Sequence, residues 1–442
     1  MTKNINAIIL AAGKGTRMKS ETPKVLHEIF GKTLLGYVLD AINKTDLVDK
    51  SFVIVGHQAE MVEKFVKDNC ENASTILQMP QLGTGDAVSK VCPHLENFNG
   101  EVIILCGDTP VISEKTLKDF IEFHKSKNSD LTVMSAVFDD PTNYGRIVRC
   151  GEIASVDNSS QSRYLKSRND VLAIVEEKDA TVEQKAIKEV NAGIYCLNWQ
   201  KIKPAFYQLT SNNAQGEYYL TDIIAWGGKQ GLNVNAFVLA DNEEIFGINS
   251  KAHLAEATKM INKRNLEKHL ENGVTIVDPG TTWISSDTEI GADTVIFPCT
   301  YITGKNKIGA KCFIGPFAHI RGEVELGDNV KIGNFVEVKK SKIASNTNAC
   351  HLSYVGDSEI GSGVNIGAGT ITANYNHFTK AKNKTTIKDG ASIGSNSVLV
   401  APVEIGEKAT VAAGTVLTKS VENNALAVAR APMRIVENYS DK

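Results

Sequence analysis

The sequence predicts two architectures in one chain: an α/β domain built on a mostly parallel sheet over residues 1–249, and a parallel β-helix of hexapeptide repeats over residues 273–442, joined by a linker helix over 250–272. Three observations carry this. As far as about residue 250, nearly continuous apolar runs alternate with amphipathic stretches, the pattern of parallel strands covered on both faces by helices. Beyond residue 273 the hydrophobic period becomes six. Between them, Ser250 to Asn272 reads as one helix, with Leu254, Ala257, Ile261, Leu266 and Leu270 on its apolar face and Gly273 as its stop.

In the first half, Ile5–Leu10, Ser51–Val55, Glu101–Cys106 and Leu131–Phe138 read as strands, and Lys32–Ile42 and Glu114–Lys125 as helices. The run Ile5 to Ala12 follows Lys3 and imitates the core of a secretory signal. Asn6 interrupts it and the basic stretch Gly13-Lys14-Gly15-Thr16-Arg17 follows at once, so it reads as the first buried strand. In the second half, Ile290, Ile296, Ile302, Ile308, Ile314, Ile320, Leu326, Ile332 and Val338 share one register, and Ile387, Ile393, Leu399, Ile405, Val411 and Leu417 share a second. No α-helix has a six-residue period and a simple strand has two. A triangular prism has it: each hexapeptide makes a short strand and a corner, the aliphatic residue points inward, and the frequent following Gly eases the turn. The register slips at Ile343, and residues 373–386 lack the pattern, which predicts a loop thrown out from the prism.

Composition narrows the function class. The chain has 442 residues, 42% hydrophobic and 22% charged, and a net charge of −3. That is globular composition with no pull toward nucleic acid or an anionic membrane. No apolar run approaches the ~18 residues of a membrane span. The eight cysteines are scattered, with no C-x-x-C pair, and read as reduced thiols of a cytoplasmic protein.

The motifs sit where strands end. Leu10-Ala11-Ala12-Gly13-Lys14-Gly15-Thr16-Arg17-Met18 leaves a strand for a glycine loop whose N–H groups can approach phosphates, with Arg17, and Lys24 of Pro23-Lys24, adding charge. The spacing is neither a Walker A loop nor a dinucleotide fingerprint. Gln81-Leu82-Gly83-Thr84-Gly85 is a second glycine turn. Asp108 follows the strand Glu101–Cys106, where a carboxylate faces the ligand crevice and suits Mg²⁺, or serves as a turn residue. In order along the chain come Tyr144-Gly145-Arg146-Ile147, Glu176, Asn191-Ala192-Gly193, Asn213 to Asp222 (NAQGEYYLTD) and Gly247-Ile248-Asn249.

This set resembles the sugar-1-phosphate nucleotidyltransferases, whose fold is Rossmann-like. With the hexapeptide half added, residues 5 to 432 resemble the bacterial bifunctional UDP-N-acetylglucosamine pyrophosphorylase / glucosamine-1-phosphate N-acetyltransferases, whose β-helix is left-handed. The resemblance implies Asp108 and Asn249 as Mg²⁺ ligands and Arg17 and Lys24 as phosphate-binding cations, Arg17 being catalytic. It implies nucleotide and sugar contacts from Leu10, Ala11, Ala12, Gly13, Gln78, Gly83, Thr84, Gly145, Glu176, Asn191 and Asn249. Cys106 stands where the family has a hydroxyl residue.

For the second half, the resemblance implies acetyl transfer with His351 as general base and Glu337 as a carboxylate that orients or charge-stabilises the imidazole. An imidazole suits the task because the attacking amine must be neutral. Arg321, Lys339, Tyr354 and Asn365 match sugar-phosphate contacts. Ala368, Ser395, Ala413 and Arg430 match the acetyl-CoA site, and the loop pair Asn374-Tyr375 matches contacts at one or the other. Gly322 stands where Pro is expected, and either Lys380 or Lys382 takes a phosphate role in the slightly longer loop. The implied enzyme acetylates glucosamine 1-phosphate with acetyl-CoA, then transfers uridylyl from UTP with Mg²⁺, feeding peptidoglycan and lipopolysaccharide synthesis. It assembles as a homotrimer through the β-helix, with neither nucleic acid nor membrane as partner. Two rivals are a pyrophosphorylase whose β-helix only oligomerises, and an assembly protein with degenerate sites.

Overall fold

The structure, a computed structural model, describes residues 4–150 and 171–441. The chain divides into two compact units, Met1–Thr258 and Lys259–Lys442, the division falling inside the junction helix.

Among the described residues the first unit is built on a nine-stranded sheet. Its strands are β1 (Ile5–Leu10), β2 (Lys50–Val55), β3 (Ala73–Leu77), β4 (Glu101–Cys106), β5 (Leu131–Val137), β6 (Arg146–Arg149), β7 (Val171–Val175), β8 (Glu189–Asn198) and β9 (Val234–Val238). The main path runs β9-β5-β8-β4-β1-β2-β3, with β6 paired to β8 and β7 paired to β6. β1 lies parallel to β2 and β4, and β2 to β3. β8 alone in the main path runs against its neighbours β4 and β5. The continuous apolar run of β1 follows from burial on both faces. Ile5, Ala7 and Ile9 enter one apolar layer while Ile8 enters the other. The first layer is closed by α1 (Leu34–Lys44), α2 (Ala59–Asn69) and α3 (Glu114–Ser126). Thr33 and Ser113 cap α1 and α3 by accepting from the N–H groups of Gly36 and Thr116.

The second unit is a left-handed parallel β-helix whose coils stack as three sheets of nine, eight and seven short strands. Of the first hexapeptide register, Ile296 to Val338 are buried in one core, with Ile290 partly buried against it. The second register is buried in the same core. The glycines act differently from expectation. Of the nine glycines that follow aliphatic positions, only Gly315 has a left-handed backbone. The left-handed corner positions lie elsewhere and are filled both by non-glycine residues such as Asp293, Lys311, Phe317, Asn329, Phe335 and Leu352 and by other glycines such as Gly304, Gly363, Gly369, Gly390 and Gly414. What needs glycine is coil-to-coil approach: a Cβ at Gly333 would lie 1.9 Å from the Cys350 carbonyl oxygen. The loop expected over 373–386 leaves the prism after Ala373 and rejoins it at Thr385. It is folded on itself, with Tyr375 bridged to Lys382 and Asn376 N–H donating to the Ala381 carbonyl at 2.9 Å.

The junction helix, α4 (Lys251–Glu271), differs at its ends from the reading of its apolar face. Ala257, Ile261 and Leu266 are buried, but Leu270 is 42% exposed. His269, one residue earlier, takes the buried position instead, at 3% exposure.

Candidate active sites

In the first unit the site residues gather where β1 and β4 end. Gly107 N–H donates to the Leu10 carbonyl at 2.9 Å, which brings the Gly107-Asp108 turn beside the Ala11–Gly15 loop. Gly15 has φ +58, and a Cβ there would stand 2.7 Å from the Lys24 Cβ; glycine is what lets Lys24 pass under the loop. The Lys24 ammonium is ion-paired with Asp108 Oδ2 and reaches Asn249 Oδ1 at 3.3 Å. Ile248 N–H donates to the Asp108 carbonyl at 2.9 Å, so residues 141 positions apart present two oxygens to one cationic group. Hard oxygens converging on one positive charge are a donor set suited to a divalent cation such as Mg²⁺. Arg17 is exposed on the 3₁₀ turn Thr16–Met18.

The second glycine turn is latched from two sides. Gln78, 3% exposed, donates through Nε2 to the Gly83 carbonyl at 2.9 Å and to Asp86 Oδ2 at 2.8 Å. Gly85 N–H donates to the Tyr218 carbonyl, and Leu220 N–H to the Thr84 hydroxyl at 3.1 Å. The segment from Asn213 to Asp222 thus holds the turn from behind. Gln81, quoted in the motif but assigned no role, donates to the Ala12 carbonyl at 2.8 Å and ties the two glycine loops together.

Asn191 sits at an irregularity in β8, between Asn191 and Tyr195. Its Oδ1 accepts from Gly193 N–H at 2.9 Å, and its Nδ2 donates to the Tyr195 hydroxyl at 2.9 Å. Gly145 is buried against Glu176, whose carboxylate a Cβ at 145 would meet at 3.4 Å. Burial pushes the Glu176 carboxyl above its ordinary range, opposed by a 3.4 Å hydrogen bond from the Thr221 hydroxyl. The Cys106 thiol donates to the Gly193 carbonyl at 3.5 Å. Burial, and then the Asp108 carboxylate, push it up to about 12, so the thiol stays protonated and keeps the donor role a hydroxyl would have there.

In the second unit, a row of side chains projects outward from the eight-stranded sheet. Parallel register puts His319 beside Glu337 and Glu337 beside Tyr354, with Arg321 beside Lys339. Glu337 Oε1 accepts from Arg321 Nε at 2.7 Å and lies 2.5 Å from Arg321 Nη2. The Glu337 carboxylate is thus engaged by Arg321, and the side chain hydrogen-bonded to His351 is Asn334, a residue the sequence did not single out. His351 Nδ1 lies 2.9 Å from Asn334 Oδ1, its register partner one coil below. An amide oxygen only accepts, so in the neutral imidazole this contact puts the proton on Nδ1 and leaves the lone pair on Nε2.

Lys382, rather than Lys380, is the loop lysine that reaches this row. Its ammonium beside Lys339, with burial and Arg321 adding, holds the Lys339 ammonium below its ordinary range. Asn374, buried at 6%, donates to Asp357 and, at 3.4 Å, to the Tyr354 hydroxyl. Tyr375 is exposed on the loop, and Asn365 is exposed on the nine-stranded sheet that also carries His351. Above His351 the corner climbs coil by coil. Gly369 N–H donates to the His351 carbonyl, Asn396 N–H to that of Ala368, and Gly414 N–H to that of Ser395. Gly394 packs against the backbone of Ala413, and Arg430 stands beside Gly414.

Comparison with known proteins matches these two constructions separately and together. The family described as nucleotidyl transferase matches residues 6–275. The bacterial transferase hexapeptide family, of six repeats, matches residues 307–340 and 384–419. The chain is 43% identical over 469 aligned residues to the "Bifunctional protein GlmU" of Geobacillus thermodenitrificans, covering 99% of this chain and 97% of that one. It is 41% identical to the protein of the same name from Acetivibrio thermocellus, with 98% and 96% covered. It is also 41% identical to that of Clostridioides difficile, with 99% and 98% covered. Identity at this level across both units and the helix between them means that the chain belongs to the family of bifunctional GlmU proteins.

Proposed function

We propose that the two activities of this bifunctional enzyme of UDP-N-acetylglucosamine synthesis run at the two sites described, acetyl transfer on the β-helix and uridylyl transfer at the strand ends of the first unit. One observation carries the reading: each unit assembles, from residues distant in sequence, the groups its reaction needs. Asp108 and Asn249 converge on one positive charge in the first unit, and a His351 nitrogen is left basic in the second.

For acetyl transfer, Arg321, Lys339 and Lys382 hold the phosphate of glucosamine 1-phosphate, with Tyr354, Asn365 and Asn374 around the sugar. His351 Nε2 takes a proton from the attacking amine while the new C–N bond forms. The thioester C–S bond then breaks and the CoA sulfur leaves, to be protonated. Glu337 fixes the Arg321 guanidinium. The climb from His351 past Ala368 and Ser395 to Ala413 spans about 14 Å at one strand spacing per coil. A strip of that length, walled by small residues, suits the thin arm of acetyl-CoA, with Arg430 at its far end and Tyr375 on the loop beside it.

For uridylyl transfer, Leu10, Ala11, Ala12 and Gly13 line the nucleotide with Gln78, Gly83 and Thr84, while Gly145, Glu176 and Asn191 face the sugar. Arg17 and Lys24 neutralise the phosphates. The phosphate oxygen of N-acetylglucosamine 1-phosphate attacks the α-phosphorus of UTP in line and pyrophosphate leaves, a reaction that asks for positioning and charge neutralisation. Mg²⁺ bound by Asp108 and Asn249 would supply further neutralisation of the phosphates.

The chain is read as a cytoplasmic homotrimer. Among the described residues no helix is long and apolar enough to cross a membrane. Phe317 and Phe335 stack at 5.0 Å on one corner of the prism and remain about half exposed, with Leu352 next to His351 also exposed. Such an apolar column beside the site favours association of β-helices. The test is incubation with glucosamine 1-phosphate, acetyl-CoA, UTP and Mg²⁺, omitting each in turn. UDP-N-acetylglucosamine should form only in the full mixture. Without UTP, free CoA should still be released. No release of CoA in that arm would leave the β-helix without its activity.

A further inference from the structure

Glu244 is a buried carboxylate for which the two reactions have no direct use. It lies in the segment between β9 and Asn249 and is 7% exposed. A buried carboxylate is costly unless it is fully hydrogen-bonded. Its Oε2 accepts from Ser113 N–H at 2.9 Å, and its Oε1 from the Ser113 hydroxyl at 3.1 Å. Ser113 is the N-cap of α3 and closes the loop that begins at Gly107-Asp108. The negative charge therefore rests on a helix N-terminus, where the backbone N–H groups favour it.

The consequence concerns the two loops. Asp108 is on one and Asn249 on the other. They are joined at one end by the 2.9 Å bond from Ile248 N–H to the Asp108 carbonyl, and at the other by the Glu244–Ser113 pair. The lower part of the Glu244 loop is held by its own turn, with Glu243 N–H donating to Asp241 Oδ1 at 3.0 Å. Lys24, which touches both Asp108 and Asn249, also joins the loops, but at the site itself. The Glu244–Ser113 pair joins them away from it, and an attachment set back from the site resists rotation of one loop against the other and so keeps the two oxygens turned toward the same point.

We infer that Glu244 is a positioning residue for the divalent cation of uridylyl transfer: by clamping the Asn249 loop to the N-terminus of α3, it keeps Asp108 and Asn249 aimed at one ion. The inference rests on the reading of those two residues as the metal pair.

The test uses the full chain with Mn²⁺ as probe and UDP-N-acetylglucosamine present, free Mn²⁺ being read by electron paramagnetic resonance. Glu244→Gln keeps the shape and replaces one acceptor with a donor facing the Ser113 N–H or hydroxyl. It should weaken Mn²⁺ binding by about tenfold, the lower end of the usual effect of groups that orient metal ligands. Exchange of the Ile248 amide hydrogen should quicken, and acetyl transfer in the second unit should not change. Glu244→Asp, which retains the charge, should recover part of the affinity. Asp108→Ala separates the inference from the reading beneath it. If Asp108→Ala abolishes Mn²⁺ binding and Glu244→Gln leaves it at the wild-type value, the inference is overturned and the metal pair stands. If Asp108→Ala binds Mn²⁺ as wild type does, the metal pair itself is wrong. Should Glu244→Gln not fold, Glu244→Asp carries the test, because its shorter side chain cannot keep both bonds to Ser113. A folded Glu244→Asp with lowered melting temperature and unaltered Mn²⁺ affinity would reduce Glu244 to a structural residue.

Discussion

The two units bring charged side chains together by opposite routes. In the first unit the groups arrive on loops at the ends of strands. Lys24, Asp108 and Asn249 are far apart in sequence and meet only because β1 and β4 are neighbours and the segment after β9 crosses to them. In the second unit the groups project from the strands themselves. Arg321, Glu337, Lys339 and Tyr354 are neighbours because each coil stacks on the one before. The difference teaches where each site is vulnerable. The first depends on loop braces such as Gln81 to Ala12 and Glu244 to Ser113. The second depends on coil register, which the buried aliphatic ladder sets for every outward residue at once.

If the contrast holds, single substitutions should silence one activity and spare the other. The largest effect is expected for His351→Ala, with acetyl transfer lowered about 10²–10⁴-fold, the usual contribution of a general base. Uridylylation of supplied N-acetylglucosamine 1-phosphate should continue, and acetyl-CoA should still bind. A packed structural histidine would instead lower β-helix stability and acetyl-CoA affinity together, so measuring both on one purified variant separates the alternatives. Next comes Asp108→Ala. Uridylyl transfer should drop by about 10²–10³-fold, in the range for loss of one preorganised electrostatic group, with CoA release unaltered. Loss of both activities in a folded variant would break the assignment of one reaction to each unit.

The smallest effect sharpens the comparison through stability. His269 is buried in the second unit, and burial, with Lys268 adding, lowers its imidazole from 6.5 to about 4. The folded chain therefore keeps it neutral where the unfolded chain has already taken up a proton. Its contribution is complete above about pH 6.5 and is lost as pH falls toward about 4. The melting temperature of the β-helix should decline through that window, and His269→Gln should flatten the decline. An unchanged slope in the variant would assign the acid sensitivity to other groups.

Much of this was legible because the signals are local. Continuous apolar runs demand burial on both faces, and a strict six-residue ladder has few physical solutions, so both architectures could be read from spacing. The motif order identified the candidate site residues through resemblance to a family. What spacing misjudged were contacts with more than one geometric solution. Glycine after each aliphatic residue reads equally well as a turn or as a close approach, and the structure shows that the coils need the approach. Which side chain Glu337 pairs with is likewise not written in the spacing; in the folded chain the register of adjacent coils places it against Arg321.

By itself the sequence determined the two folds, the junction helix between them and the family, since hydrophobic period and motif order are properties of one dimension. Only the tertiary structure decided that Asn334 lies against His351 Nδ1, that Lys382 stands by Lys339, and that Glu244 ties the two loops of the first site. Each of these is a polar contact between separated segments. A hydrogen bond depends on distances of a few tenths of an ångström and on direction, and those are set by how the segments pack in three dimensions.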